Sequence, residues 1–355
     1  MDCSNCSIAK PIEDHGTLLF ISPQIHLLDK CIEAFTAEQQ EQPQPYKEGD
    51  RHILSTVYAS RELLLEGLKR VNDRLTETEQ LDIHIGMGSD SFIAASQPLP
   101  LSHFFARIKH HSLVSMMTDG LFSSHMQPIV DIQSRQVIGY EFLLRSAEGQ
   151  ARFNPYELFS VAQQTGLHSF LDRAARISAI ETSARYLPQG IKRFVNFLPS
   201  SIYNPNYCLS HTFKAIEKNH LDPQDFVFEV VETERIEDIG HLKKIFAVYQ
   251  EHGMKVALDD VGSGFATLEV LPELMPDFVK IDRGLVDMCD TDEHKQQTIS
   301  NIVSCSHQFG ATVLAEGMER KEEWDFCRSL GIDLAQGYLL GKPSAAPLNK
   351  AFVEL

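Results

Sequence analysis

The arrangement of apolar and polar residues predicts several short elements near the start of the chain. Residues 17–21 form an apolar run that predicts a buried strand, and apolar residues at 28, 31, 32 and 35 recur with the spacing of one helix face. A second helical stripe occupies residues 64–75, and residues 81–85 alternate apolar with polar as a half-buried strand does. We therefore predict a small α/β domain over residues 1–100. The pattern does not indicate its function, for which the open hypotheses are a sensory role, a dimer contact or an interaction with a partner.

The pattern changes after residue 121. Pro98 and Pro100 mark a boundary, and residues 101–121 predict a connecting helix. From residue 122 to residue 355, apolar segments that end in polar residues alternate with helical stripes, as repeated β-α units do. This alternation predicts an α/β fold of the TIM type, a (β/α)8 barrel in which parallel strands are surrounded by helices.

The predicted barrel strands end in carboxylate, amide and amine side chains. These residues are Glu141, Asn196, Glu229, Asp259, Asp260, Lys280, Glu316 and Gln336. Because the carboxyl ends of barrel strands converge on one rim, we expect these side chains to lie close together. Packing does not require so many polar groups at one rim, and the pattern therefore indicates a functional site.

Two of these positions allow more than one interpretation. Asp259 and Asp260 are adjacent at the end of one predicted strand, and their mutual repulsion is most simply compensated by a divalent cation. The alternative is a pair of turn residues, since aspartate is common in turns. Lys280 either acts in the site or forms an ion pair with Asp282 or with a carboxylate of the rim.

The chemistry of the predicted rim is that of hard oxygen ligands without cysteine or histidine, which suits Mg²⁺ or Mn²⁺. The carboxylates suffice to hold two such ions at a spacing of about 4 Å. A site of this kind can activate a water molecule and stabilise the leaving oxygen of a phosphodiester. Lys280 could orient or deprotonate that water, or neutralise developing charge.

Composition and charge limit the possible partners. The 355 residues carry a formal net charge of −17, which argues against binding to DNA or to an anionic membrane surface. The sequence has neither an apolar run of roughly 20 residues nor an initial secretory pattern, so we expect a cytoplasmic protein. The seven cysteines fit reduced thiols, and Cys3 with Cys6 marks either an ordinary tail or a metal or redox site.

Seven short motifs occur in a fixed order in the second region. They are Glu-Phe-Leu at 141–143, Val-Asn-Phe at 195–197, Glu-Val-Val-Glu at 229–232, Asp-Asp-Val-Gly-Ser-Gly at 259–264, Lys-Ile-Asp at 280–282, Ala-Glu-Gly-Met-Glu at 315–319 and Gln-Gly-Tyr-Leu-Leu-Gly-Lys-Pro at 336–343. In this order they resemble the motifs of the EAL domain family of cyclic di-GMP phosphodiesterases. The resemblance extends over residues 124–355 and implies a modified TIM barrel with one antiparallel strand.

The resemblance also implies roles for individual residues. The implied ligands of two divalent ions, Mg²⁺ or Mn²⁺, are Glu141, Asn196, Glu229, Asp259 and, at the second ion, Asp260. The implied catalytic residues are Glu141, Lys280, Glu316 and Glu232. The implied substrate contacts are Gln127, Arg145, Gln336 and Glu319. Glu232 matches a glutamate that anchors the loop after the paired aspartates, and in this family that loop, here around residues 262–268, adjoins a homodimer interface.

The function implied by the resemblance is hydrolysis of cyclic di-GMP to linear pGpG. Three positions depart from the family pattern, since Phe142 replaces alanine, Val231 replaces threonine and Val261 replaces phenylalanine, but none of them removes a ligand. Side chains alternate along a strand, and Phe142 should therefore point away from the site. The alternatives are a cyclic di-GMP receptor or interaction module without turnover, and a hydrolase of another phosphodiester.

Overall fold

The computed structural model describes residues 12–35, 45–88, 98–230, 238–262, 268, 270–349 and 353. The chain divides into two compact units, one of residues 1–121 and 153–171 and the other of residues 122–152 and 172–355. Several positions discussed above lie outside the described residues: Cys3, Cys6, Val231, Glu232 and residues 263–267.

The first unit is an antiparallel sheet with helices. Its elements are β1 (Gly16–Ser22), α1 (Ile25–Phe35), β2 (Tyr46–Glu48), β3 (Arg51–Tyr58), α2 (Arg61–Arg74), α3 (Glu77–Leu81), β4 (His84–Gly88), β5 (Leu99–Pro100), α4 (Leu101–Lys109), α5 (His111–Thr118) and α6 (Pro155–Gln164). The described strands follow the order β2-β3-β1-β4-β5, and apolar side chains of α1 and α2 pack on the sheet. The predicted α/β character of this region is confirmed.

Some predicted boundaries in the first unit were wrong. The strand predicted at 81–85 begins only at His84, because Thr76 and Glu79 form a capping box that starts the short helix α3. Leu81 ends that helix and is 75% exposed. The single helix predicted over residues 101–121 is two helices, α4 and α5, which meet at His110. Strand β3, which pairs with β1, was not predicted.

The second unit alternates strands and helices. Its elements are β6 (Phe122–Asp131), β7 (Val137–Ser146), α7 (His168–Tyr186, which begins in the first unit), β8 (Lys192–Phe197), α8 (Pro205–Cys208), α9 (Ser210–Lys218), β9 (Phe226–Val230), α10 (Ile239–Glu251), β10 (Lys255–Val261), α11 (Leu271–Leu274), β11 (Phe278–Ile281), α12 (Arg283–Val286), α13 (Glu293–Gln308), β12 (Thr312–Ala315), α14 (Lys321–Ser329) and β13 (Leu334–Ala335). Short 3-10 helices occupy Pro199–Ser201 and Pro223–Asp225.

Eight strands of the described residues close into a barrel in the order β10-β11-β12-β13-β6-β7-β8-β9. The strands from β7 to β13 run parallel, and β6 is antiparallel to both of its neighbours, β7 and β13. Both the predicted TIM-type barrel and the antiparallel strand implied by the resemblance are confirmed. None of the helices in the described ranges has the length and apolar character that crossing a lipid bilayer requires.

A layer of apolar side chains fills the interior of the barrel and sets the position of the polar rim. It consists of Ile129, Phe194, Val227, Ala257, Phe278, Leu314 and Leu334. Because side chains on a strand repeat their direction every two residues, the residue two positions toward the rim faces the same interior. Those residues are Gln127, Asn196, Glu229, Asp259, Lys280, Glu316 and Gln336. The two-residue period of the strands therefore places seven polar side chains next to one another, directly above the apolar layer in the barrel.

Candidate active site

Lys280 lies at the centre of a cluster of carboxylates. Its Nζ is 2.6 Å from Glu316 Oε1, 3.0 Å from Asp259 Oδ1 and 4.0 Å from Glu141 Oε1. Nζ also donates a hydrogen bond to Glu229 Oε2. The lysine side chain is only 1% exposed, so these acids supply its polar environment. The sequence allowed an ion pair of Lys280 either with Asp282 or with a carboxylate of the rim. The structure confirms the ion pair with the rim carboxylates.

The alternative ion pair of Lys280 with Asp282 is not among the contacts of Lys280 in the described residues. Asp282 lies just before α12, where its Oδ1 accepts the backbone N–H of Gly284 at 2.9 Å and caps the helix. The side chain of Asp282 is therefore committed to local structure.

Glu141 is held by two amides. Asn196 Nδ2 donates to Glu141 Oε1 at 2.9 Å, and Gln336 Nε2 donates to Oε2 at 2.7 Å. The residue was predicted at a strand end, but β7 continues to Ser146 and Glu141 lies in its middle. The prediction for its neighbour was correct, since Phe142 lies on the other face of the strand and is buried in the core outside the barrel.

Asp259 and Asp260 both face the cleft, although adjacent strand residues normally point to opposite faces. The pairing of β10 with β11 shifts register between Leu258 and Val261, which marks a bulge. Asp260 has a φ of 52°, a left-handed conformation that aspartate tolerates better than most residues. Ligand oxygens of Asp259, Asp260 and Glu316 consequently lie within 4.8 Å of one another.

Burial dominates the electrostatics of the acids around Lys280. It raises the pKa of Asp259 above the ordinary value and those of Glu229 and Glu316 well above it. Burial acts in the same direction on Glu141, but Lys280, Asn196 and Gln336 outweigh it and lower the pKa of that carboxyl. One ammonium cannot compensate so many buried acids.

The ammonium of Lys280 is nevertheless held in its charged form. Burial alone would lower the pKa of Lys280, but the surrounding carboxylates, with Asp259 first and Glu141 next, hold it well above its ordinary value. A lysine in this state donates hydrogen bonds and attracts negative charge.

The residues of the cluster fit a divalent cation. Glu229 Oε1 is buried and has no hydrogen-bond partner among the described residues, although buried carboxylate oxygens are normally satisfied. The oxygens of Asp259, Asp260 and Glu316 are close enough to share an ion, and oxygen donors suit Mg²⁺ and Mn²⁺. An unsatisfied buried oxygen next to an all-oxygen donor set is the arrangement that a bound cation completes.

Above the cluster lies an open cleft of about 330 Å³. Its lining includes three of the four predicted substrate contacts, Gln127, Gln336 and Glu319. Gln127 Nε2 also donates to the carbonyl of Gly341 at 3.2 Å. Arg145 lies four residues beyond Glu141 on the same strand, donates to the Leu144 carbonyl, and is not among the described residues that line the cleft.

The segment after Glu316 is fixed by a buried carboxylate. Glu323 Oε2 accepts the backbone N–H of Glu319 at 3.0 Å and that of Arg320 at 2.9 Å, and its Oε1 accepts that of Met288 at 3.0 Å. These bonds begin helix α14 and set the position of Glu319 at the edge of the cleft. Glu323 was not singled out from the sequence, although a glutamate three residues after a helix start is a common capping signal.

Two further residues that line the cleft were also missed. Arg283 follows the Lys-Ile-Asp motif directly, and Tyr338, which is 53% exposed, lies inside the motif at 336–343. The sequence signal was their position next to motif residues, but nothing in their own chemistry distinguished them from ordinary surface residues.

Comparison with known proteins identifies relatives of this barrel. A family model described as the EAL domain matches residues 111–343. The cyclic di-GMP phosphodiesterase PdeL of Escherichia coli is 26% identical over 260 residues, which cover 71% of this chain and 70% of PdeL. Three other curated relatives are matched over 28%, 43% and 52% of their own length, so the chain spans about half or less of those proteins.

Solved structures share the fold. A standalone EAL protein of Vibrio cholerae in its c-di-GMP-bound form is 30% identical, with a TM-score of 0.58, and the match covers 63% of this chain and 93% of that protein. The manganese and cyclic di-GMP complex of Klebsiella pneumoniae BlrP1 is 21% identical, with a TM-score of 0.58, over 93% of this chain and 96% of that one. The second likeness concerns the fold alone.

Proposed function

Because this chain belongs to the EAL domain family, we propose that it is a metal-dependent phosphodiesterase that hydrolyses cyclic di-GMP to linear pGpG. The observation that carries the proposal is the acid cluster around Lys280, in which the buried Oε1 of Glu229 has no partner among the described residues. Relatives of this barrel have been solved with cyclic di-GMP bound, and a site this acidic needs added cations before it can accept such an anion.

Within this proposal, the oxygen-bearing residues divide between two divalent ions, Mg²⁺ or Mn²⁺. Glu141, Asn196, Glu229 and Asp259 would hold one, and Asp260 and Glu316 would hold the other. When bound, the ions lower the pKa of a water molecule and stabilise the leaving oxygen. Lys280, which carries its proton, orients the attacking water through hydrogen bonds and offsets negative charge in the transition state.

The substrate contacts belong to the same proposal. Gln127 and Glu319 bind the dinucleotide from the lining of the cleft, and Gln336 does so while it holds Glu141 in place. Arg145 reaches the substrate from further along β7. Glu232, which lies outside the described residues, is proposed to anchor the loop after Asp260.

Metal removal gives the direct test. Purified protein with Mg²⁺ or Mn²⁺ is expected to convert cyclic di-GMP to pGpG, and a chelator such as EDTA should abolish turnover because water activation requires the ions. Product is measured by chromatography, and restored turnover after metal is added back is the control. Tight binding of cyclic di-GMP without product, in both metals, would instead favour a receptor.

We further propose that the barrel forms a homodimer near residues 262–268 and that residues 1–100 carry a sensory or interaction domain. The support is the family resemblance, because residues 263–267 lie outside the described residues. Light scattering of the purified chain is expected to give twice the mass of 40.0 kDa. A monomer mass at micromolar concentration would contradict the dimer.

A further inference from the structure

Arg283 is a cation at the cleft to which the proposed mechanism gives no role. It is the first residue of α12, directly after the strand end that carries Lys280, and it lines the cleft. Its side chain is 61% exposed and forms an ion pair with Glu319, Nη2 to Oε1, at 2.7 Å. Resting on the proposed function, we propose that Arg283 binds the phosphate of cyclic di-GMP that is not cleaved.

The backbone next to the site fixes the path of the Arg283 side chain. Gly317, which follows Glu316, has a φ of 66°, and a Cβ at this position would come within 2.1 Å of Arg283 Cγ. The aliphatic part of the arginine thus lies against a glycine that belongs to the motif around Glu316. This contact places the aliphatic carbons of Arg283 beside the motif that carries Glu316, and the exposed guanidinium extends from there.

The charge of the cleft requires such a cation. Five carboxylates line it, those of Glu141, Asp259, Asp260, Glu316 and Glu319. Cyclic di-GMP carries two phosphodiester anions, and the divalent ions proposed at the acid cluster would bind the one that is cleaved. Of the described residues that line the cleft, Lys280 and Arg283 are the cations, and Lys280 is buried among acids. Arg283 is therefore the exposed cation in the described lining that is placed to meet the second phosphate, in addition to Arg145, which approaches from further along β7.

The energetics allow Arg283 to exchange its partner. An exposed ion pair such as Arg283 with Glu319 contributes about 0 to 1 kcal/mol, so that breaking it costs little. A guanidinium binds phosphate oxygens through two parallel hydrogen bonds, which are stronger than ordinary neutral ones. Release of Glu319 at the same moment would free its carboxylate to accept a hydrogen bond from the substrate.

The test compares two substrates. We expect Arg283→Ala to raise KM for cyclic di-GMP about tenfold, equivalent to about 1.4 kcal/mol, with kcat nearly unchanged. Bis(p-nitrophenyl) phosphate contains one phosphodiester and has no second phosphate, so its kcat/KM should change less than about twofold. Arg283→Lys should recover part of the loss in affinity for cyclic di-GMP.

Lys243→Ala is the matched control, because Lys243 forms an exposed ion pair with Glu273 at 2.9 Å and does not line the cleft.

A double variant separates binding from mere support of Glu319. If Arg283 binds phosphate, Arg283→Ala should raise KM by a similar factor when Glu319 is already replaced by glutamine. If the arginine only holds Glu319, the second change has no further effect, and the proposal fails. Unchanged KM for cyclic di-GMP, or equal losses with both substrates, would also overturn it.

Failure of the proposed function gives a different result. A wild-type protein that binds cyclic di-GMP without turnover contradicts the phosphodiesterase but still tests Arg283 through Kd, measured by calorimetry, where a rise of about tenfold is expected in Arg283→Ala. A wild-type protein that neither binds nor hydrolyses the dinucleotide refutes both proposals.

Discussion

Glu141→Ala is expected to reduce kcat for cyclic di-GMP by at least about a thousandfold, equivalent to about 4 kcal/mol of transition-state stabilisation. The reason is that Glu141 is both a proposed metal ligand and the acceptor for Asn196 and Gln336. Its loss removes an oxygen donor and leaves two amides without their partner. The measurement is pGpG formation under saturating Mg²⁺ or Mn²⁺, with the fold checked by circular dichroism.

Glu148→Ala is the matched control for Glu141→Ala. Glu148 is an exposed glutamate that follows the same strand, β7, and it does not line the cleft. Its removal should change kcat less than about twofold, since surface substitutions away from special features have small effects. A folded Glu141→Ala protein that keeps a tenth or more of the wild-type activity would contradict the assignment of Glu141.

The polar rim could be predicted from the sequence because two regular features of a barrel determine where its residues lie. A strand repeats its side-chain direction every two residues, and parallel strands of a barrel end on the same side. Asn196, Glu229 and Lys280 each lie two positions beyond an apolar residue of the barrel interior, and the structure brings their side chains together or onto common partners.

Other features depended on tertiary structure and could not be predicted. Asp260 was predicted at the rim because it follows Asp259 at a strand end, but alternation alone would send it away from the cleft, and the register shift between β10 and β11 that accompanies its inward direction has no signal in the sequence pattern. Arg283 gains its place through Gly317, which is distant in sequence. The local pattern also placed the start of β4 too early. Leu81, which fits the alternation of a strand, belongs instead to α3, the helix that the capping box begins.

Lys280→Met is expected to have the largest effect on stability. Removing the ammonium leaves the buried acids around it, Glu229 and Asp259 among them, without their cation, and loss of one partner from a buried ion pair destabilises by about 3 to 5 kcal/mol. The free energy of unfolding is measured by urea denaturation in EDTA. Lys255→Met is the control, because Lys255 is a half-exposed lysine on β10 whose ion pair with Asp277 should contribute about 1 kcal/mol or less.

Added metal distinguishes the two roles of Lys280. If the acid cluster binds divalent ions, Mg²⁺ or Mn²⁺ at a hundred times its Kd should restore about 2.7 kcal/mol of stability to Lys280→Met. Activity should not follow, because the ion replaces the charge of the lysine and not the hydrogen bonds that orient the water, and kcat should stay at least about a hundredfold below wild type. Equal stability of Lys280→Met with and without metal would show that the cluster does not bind these ions, and full recovery of kcat would show that Lys280 has no part in the reaction.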